Sequence, residues 1–256
     1  MKEIEEATVV YITPEEKTIK KKHIPREIPF TIVVNGKELS TSQCTPSSLR
    51  YLAVGFLLSE GVITQKEEIK QAILDEKDLY SRIYVEASIG MQTSKLQRQI
   101  ASDSVPLYQT KDEEAIPRLD SQLQVSRDRI FRLMRQFQTK SSFYKQTHGN
   151  HSCALCNTDG VIMVFAEDIS RHNVVDKVIG ECLLKGISVE DKILATTSRI
   201  SVDILNKIAK RQIPIIISLA TVTHLALNLA KSLGLTVCGF AREQHMVIFT
   251  GDQRVI

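Results

Sequence analysis

Residues 192–241 read KILATTSRISVDILNKIAKRQIPIIISLATVTHLALNLAKSLGLTVCGFA, and this stretch decides the fold class. KILATT, a helix from Ser201 to Lys210, PIIIS, a helix from Val222 to Leu233, and LTVCGFA follow one another in strict alternation. Strands that alternate with helices imply an α/β sheet whose parallel neighbours are joined by right-handed crossovers. MVIFT, beginning at Met246, then closes the sheet as a last strand, with an antiparallel direction open to it.

Working outward toward the N-terminus, Val174, Val175, Val178, Ile179, Cys182 and Leu183 form a helical stripe that ends at Gly186. HSCAL and VIMVF read as strands around the turn Asn157-Thr158-Asp159-Gly160. Before them, Ile130, Leu133, Met134 and Phe137 share one face of a helix opening at Ser126. Residues 101–126 are polar, carry Pro106 and Pro117 and show no sustained apolar period, which marks a linker or mobile loop.

The first hundred residues follow a different pattern. FTIVV, Asn35-Gly36 and KELSTSQ signal a hairpin, because Asn-Gly supplies the positive φ angles of a type I′ turn. Thr45 and Pro46 are placed to cap and open a helix whose Leu49, Leu52, Ala53, Phe56 and Leu57 share a face, with Gly61 ending it. That stripe is expected to pack on the hairpin, and RIYVEA (82–87) adds a strand. The expected architecture is α/β: a smaller α+β domain over residues 1–100, a linker over 101–126, and an α/β domain over 127–256.

The 33 basic and 30 acidic residues leave a formal charge of +3, too even a balance for a nucleic-acid binder that relies on phosphate neutralisation. The sequence has no apolar run of membrane-spanning length and no secretory signal order at its start, so no membrane partner and a cytoplasmic location are expected. Five cysteines (Cys44, Cys153, Cys156, Cys182, Cys238), odd in number and unevenly spread, argue against a disulfide framework.

Four places concentrate chemistry. His148, His151, Cys153 and Cys156 lie within nine residues, and three readings stay open for them: buried core thiols, a functional thiol, or a metal site. Strand alternation puts His151 and Cys153 on one face and Cys156 on the other, against convergence on a metal. Glu167 to Asn173, with Asp176 and Lys177, gathers polar side chains where a strand meets a helix, the usual ligand crevice of an open α/β sheet; a capped helix start with Asp168 or Ser170 as acceptor fits the same residues. Thr196-Thr197-Ser198-Arg199 repeats the arrangement, with Ser201 able to cap the next helix. Phe240-Ala241-Arg242-Glu243-Gln244-His245 reads on charge alone as a hairpin turn.

Taken together, the Asn35-Gly36 hairpin, Thr45-Pro46 before GFLLSEG, THGNHSCAL, EDISRHNVVDKVIG, TSRIS and GFAREQHMVIFTG resemble the formate dehydrogenase accessory proteins, the FdhD sulfur carriers. The resemblance spans nearly the whole chain. It implies a cytidine-deaminase-like α/β domain behind a small N-terminal domain. It also implies sulfur transfer from a cysteine desulfurase to a molybdenum or tungsten bis(pterin guanine dinucleotide) cofactor destined for formate dehydrogenase, with GDP as a fragment mimic of that cofactor and a homodimer as the assembly. By resemblance, Phe240, Ala241, Arg242, Glu243, Gln244 and His245 form the nucleotide-contacting segment, and Arg171, His172, Asn173, Lys177, Ser198 and Arg199 join the pocket. No metal ligand set is implied, and the chain has neither the His-x-Glu nor the Cys-x-Glu of zinc deaminases.

One departure stands out. The family carries persulfide on loop cysteines between the domains, and the corresponding RQIASDSVPLYQT has none. Cys153 falls where the family more often has alanine. Either the sulfur chemistry has moved to Cys153 and Cys156, with Cys153 favoured because His151 shares its face, or the protein is a chaperone that binds the cofactor without carrying sulfur.

Overall fold

The computed structural model describes residues 1–77, 79–88 and 116–256. Strands β1 (Ile4–Ile12) and β2 (Lys17–Pro25) pair only with each other, as an antiparallel ribbon. A four-stranded sheet of order β4-β3-β6-β5 follows, from β3 (Ile28–Val34), β4 (Lys37–Cys44), β5 (Ile69–Glu76) and β6 (Ser81–Ala87), with helix α1 (Leu49–Ser59) between β4 and β5. The Asn35-Gly36 turn forms as its residues demand, with φ of 48° and 78° and Val34 opposite Lys37. The Asn35 side chain then exchanges two 2.9 Å hydrogen bonds with the Ala87 backbone, which pins the turn to β6.

The second half comprises α2 (Arg127–Lys140), α3 (Ser142–Thr147), β7 (His151–Cys156), β8 (Ile162–Asp168) and α4 (Arg171–Lys185). It continues with β9 (Ile193–Thr196), α5 (Val202–Lys210), β10 (Ile215–Ser218), α6 (His224–Leu233), β11 (Thr236–Arg242) and β12 (His245–Thr250). Its sheet has the order β12-β11-β10-β9-β7-β8: β9, β10 and β11 are parallel, β12 is antiparallel on β11, and the β7–β8 hairpin adds antiparallel to β9. The alternation read from 192–241 therefore holds, strand by strand. Ile216 faces one apolar layer while Ile215 and Ile217 face the other, so both faces are covered and the strand is apolar throughout.

Two expectations about helix starts change. Thr45 and Pro46 lie outside α1, whose N-cap is Ser48 at φ 54° with no side-chain cap. The reason is that Thr45 is fully occupied elsewhere. Its N–H donates to Asp168 Oδ2 (3.2 Å), its hydroxyl accepts from the Ile169 N–H (3.1 Å), and its carbonyl accepts from Lys177 Nζ (3.3 Å). Ser201 holds the N-cap position of α5 but makes no cap bond, and its buried hydroxyl lacks a partner among the described residues. Gly61 does end α1 as expected, at φ 73°, with the Val62 N–H returning to the Leu57 carbonyl.

Helix α1 packs against the four-stranded sheet and, on its other side, against α4. The two helices touch backbone to backbone, since a Cβ on Gly55 would sit 1.8 Å from the Asp176 carbonyl oxygen and one on Gly180 2.0 Å from that of Tyr51. One apolar cluster consequently runs from Ile28, Phe30 and Ile32 through Leu52, Leu57, Val174 and Val178 to Leu194, Ile216 and Val237. Of the expected 101–126 linker, residues 101–115 lie outside the described residues, while 116–126 form no helix and touch the fold through a Val125–Val255 bridge. No described helix is long and apolar enough to cross a membrane.

Candidate functional site

The carboxyl ends of β9, β10 and β11 and the start of β7 meet at one edge of the six-stranded sheet. Thr197, Leu219, Arg242 and His151 come from these four places and line one cavity of about 530 Å³. The end of α2 (Phe137, Gln138), α3 with its approach (Ser141, Tyr144, His148) and the segment Gly149, Asn150, Ser152 and Ile169 complete its wall. An open α/β sheet places ligands at this edge because the loops that leave parallel strands diverge there.

Arg242 reaches the cavity through a local irregularity. The β11–β12 pairing slips between Gly239 and Arg242, and Phe240 and Glu243 both take positive φ of 52°. Gly239 is required there, as a Cβ would lie 2.7 Å from the Ala220 carbonyl oxygen. The remaining residues of that segment diverge. Ala241 is buried in the core, Phe240 is exposed against Phe249 at a centroid distance of 6.4 Å, and Glu243, Gln244 and His245 sit exposed at the turn.

Three of the cavity's wall residues share one acceptor: Glu167 Oε1 accepts hydrogen bonds from the Asn150 amide (2.7 Å), from Ser152 (3.4 Å) and, at short range, from Ser141. Asn150 is 8% exposed, yet its Oδ1 has no partner among the described residues. A buried acceptor left open costs free energy. Thr197 bridges β7 and the β9 exit, accepting from the Ser152 N–H (3.0 Å) and lying 3.4 Å from His151 Nδ1. Burial, and then the neighbouring Arg171 charge, hold the His151 pKa below its ordinary value despite Asp168, so the ring is neutral at neutral pH.

The RHN block divides between two functions. His172 and Asn173 line a second cavity, of about 240 Å³, together with Ser42, Ser59, Asp203 and Lys207 from three other elements. Burial, followed by Lys207 and Arg171, lowers the His172 pKa too. Asn173 and Lys177, expected in the pocket, instead fasten the two halves of the molecule. The Asn173 amide donates to the Gln43 carbonyl (2.9 Å) and to Asp168 (3.2 Å), and Lys177, 1% exposed, pairs with Asp168 at 2.6 Å. Arg171 opens α4 and influences both histidines, and its buried Nε has no partner among the described residues. Ser198 is buried 3.1 Å from the Thr196 hydroxyl, and Arg199 is exposed.

Neither Cys153 nor Cys156 reaches either cavity. Both are fully buried on β7, Cys153 in one apolar layer and Cys156 in the other, as strand alternation requires. Burial drives the Cys153 thiol pKa well above its ordinary value and pushes Cys156 up to about 12. The neutral His151 supplies no cation to reverse this. Cys44, Cys182 and Cys238 are buried as well, each pushed up to about 12 mainly by desolvation. Among the described residues no group of three His, Cys, Asp or Glu side chains is arranged to hold a metal ion.

Sequence reasoning missed Asn150, Ser141, Gln138 and α3 as cavity walls. Only Ser141, whose hydroxyl caps α3, left a signal: a serine opening a short helical run.

Fold and cleft together define an α/β protein with a polar, partly cationic cavity at the carboxyl edge of its parallel strands. The chain belongs to the FdhD/NarQ family, whose model matches residues 25–256. It is 36% identical to the sulfur carrier protein FdhD of Bacillus pumilus (strain SAFR-032) over 242 residues, covering 93% of this chain and 92% of that one. The sulfur carrier protein FdhD of Bacillus subtilis (strain 168) is 34% identical over 241 residues, covering 90% and 88%. A crystal structure described as a formate dehydrogenase accessory protein from Desulfotalea psychrophila superposes with a TM-score of 0.84 at 28% identity, over 100% of both chains.

Proposed function

We propose that this chain acts in the cytoplasm as an FdhD-type sulfur carrier in formate dehydrogenase maturation. Its cargo is a molybdenum bis(pterin guanine dinucleotide) cofactor, and the larger cavity takes one guanine nucleotide arm of it. The observation that carries this reading is that Arg242 and the Asn150 side-chain amide line one cavity. A phosphate chain suits the first through fork-like donation, and the N–H edge of guanine suits the second. A homodimer would offer two such cavities to the two nucleotide arms of one cofactor. Sulfur would arrive when a thiolate of this chain attacks the outer sulfur of a cysteine desulfurase persulfide, forming a new persulfide and releasing the desulfurase thiolate.

A second reading has its own support: binding without sulfur carriage. All five thiols are buried, and their raised pKa values withhold the thiolate that attack requires. Two measurements separate the readings. GDP titration by calorimetry should show binding that exceeds ADP binding and weakens by at least about tenfold in Arg242→Ala; equal affinities for GDP and ADP, or an unchanged variant, would remove the nucleotide assignment. Incubation with a cysteine desulfurase and cysteine, followed by intact mass, should show one added sulfur that Cys153→Ala lacks. GDP binding with no mass gain assigns the chain to the chaperone reading.

A further inference from the structure

Helix α2 carries an uneven share of the molecule's charge. Residues 127–145 hold six basic residues (Arg127, Arg129, Arg132, Arg135, Lys140, Lys145) and one acidic residue, Asp128, for a net of +5. The whole chain, with 33 basic and 30 acidic residues, is +3, so the other residues (27 basic, 29 acidic) sum to −2. Residues 17–26, with Lys17, Lys20, Lys21, Lys22, Arg26 and no acidic residue, also reach +5, so the chain's positive charge concentrates in these two segments.

The inner face of α2 is fixed by Ile130, Leu133, Met134 and Phe137, all buried, which leaves every arginine of the helix exposed. Arg129 is paired with Asp159 at 3.2 Å. Arg127, Arg132 and Arg135 form no ion pair with the described residues. Spacing by four residues puts Arg127, Phe131 and Arg135 in a row on one face. With Asp128 and Gln244 they line a shallow depression of about 470 Å³. Gln244 is two residues from Arg242, so the β11–β12 turn forms a wall of this depression on one side and of the larger cavity on the other.

We propose that the outward face of α2 is a docking surface for an acidic segment of a partner protein, which it holds beside the mouth of the larger cavity. Charge complementarity selects the occupant. Three unpaired guanidinium groups suit carboxylates as fork-like donors, and the half-buried Phe131 between two of them offers apolar contact. A single aromatic gives little for a nucleic acid to stack on. The proposal does not rest on the cofactor reading, because GDP affinity reports on Arg242 and partner docking on α2.

The test uses the full chain and fluorescence anisotropy of a fluorescein-labelled oligoglutamate peptide at low ionic strength. The Arg127→Gln/Arg132→Gln/Arg135→Gln variant, altered only at exposed positions, should bind at least about tenfold more weakly, while Lys20→Gln/Lys21→Gln/Lys22→Gln, which removes three exposed charges from β2, should change affinity less than about twofold. No peptide binding, or equal losses in the two variants, would overturn the proposal, the latter by reducing it to net charge. Tighter binding of a charge-matched oligothymidylate that is lost in the arginine variant would also overturn it, and assign the face to nucleic acid.

Discussion

Lys177 and Asp168 form an ion pair that is 1% and 0% exposed and supports much of the junction between the two halves. Asp168 also accepts from the N–H groups of Thr45 and Ser170 and from the Asn173 amide, while Lys177 donates to the Thr45 and Glu167 carbonyls. Removing one ion of a buried pair strands the other, at a cost of about 3–5 kcal/mol. Lys177→Met should therefore lower the urea-derived stability by about that amount, and a loss below about 1 kcal/mol would show that water reaches the carboxylate. The histidines give a pH prediction of definite sign. His151 and His172 have folded pKa values below 6.5, lowered first by burial, so between those values and 6.5 the unfolded chain binds more protons. Their contribution is complete above pH 6.5 and is lost as the pH falls through the folded pKa values. The urea midpoint should fall on acidification from neutrality toward pH 5, and less steeply in His151→Gln/His172→Gln; an identical slope in the variant would assign the acid sensitivity elsewhere. These residues were legible in the sequence as a polar cluster at a strand–helix junction, but their division of labour was not. A lysine that bridges two halves and an arginine that faces a cavity are the same kind of letter until the chain folds, and the partners of Lys177 include Thr45, 132 positions away.

At the level of elements, strands and helices of the second half could be read closely because their apolar period and turn residues agree. The α1–α4 crossing could not, because a glycine inside a helical pattern usually signals only lower propensity. Here two of them make the contact. Gly180→Ala would gain about 0.8–1 kcal/mol in an isolated helix. In this protein the new methyl would lie 2.0 Å from the Tyr51 carbonyl oxygen and 2.6 Å from the Gly55 nitrogen, so the helices must separate. Overpacking against backbone outweighs propensity, and thermal or urea unfolding should show a net loss of at least about 2 kcal/mol. A stabilised Gly180→Ala would mean that the helices do not approach this closely. The same crossing explains why α1 is buried nearly all round, from Leu49 to Ser59, beyond the single stripe its sequence suggests.

For the whole molecule, the composition break near residue 100 suggests two bodies, whereas packing gives one apolar cluster from Phe30 in the four-stranded sheet to Val237 in the six-stranded sheet. Helices α1 and α4 lie in the middle of that cluster. A second polar tie reinforces the join, in which Asp176 accepts from Ser59 (2.6 Å) and pairs with Lys207 (2.6 Å), and Lys210 donates to the Ser59 carbonyl (3.2 Å). Folding units with a shared core open together, whereas units that merely touch open at separate free energies. Amide hydrogen exchange should therefore give the same opening free energy for Phe30 and Ile32 in β3 as for Ile216 and Ile217 in β10. Gly180→Ala should lower both by the same amount, since the contact it breaks belongs to both. Exchange in β3 that is faster by several kcal/mol, with β10 unaffected by the substitution, would instead make the N-terminal sheet an accessory body. In that case the ties through Thr45, Asn173 and Lys177 would steady the cavity edge without determining the stability of the sheet that bears it.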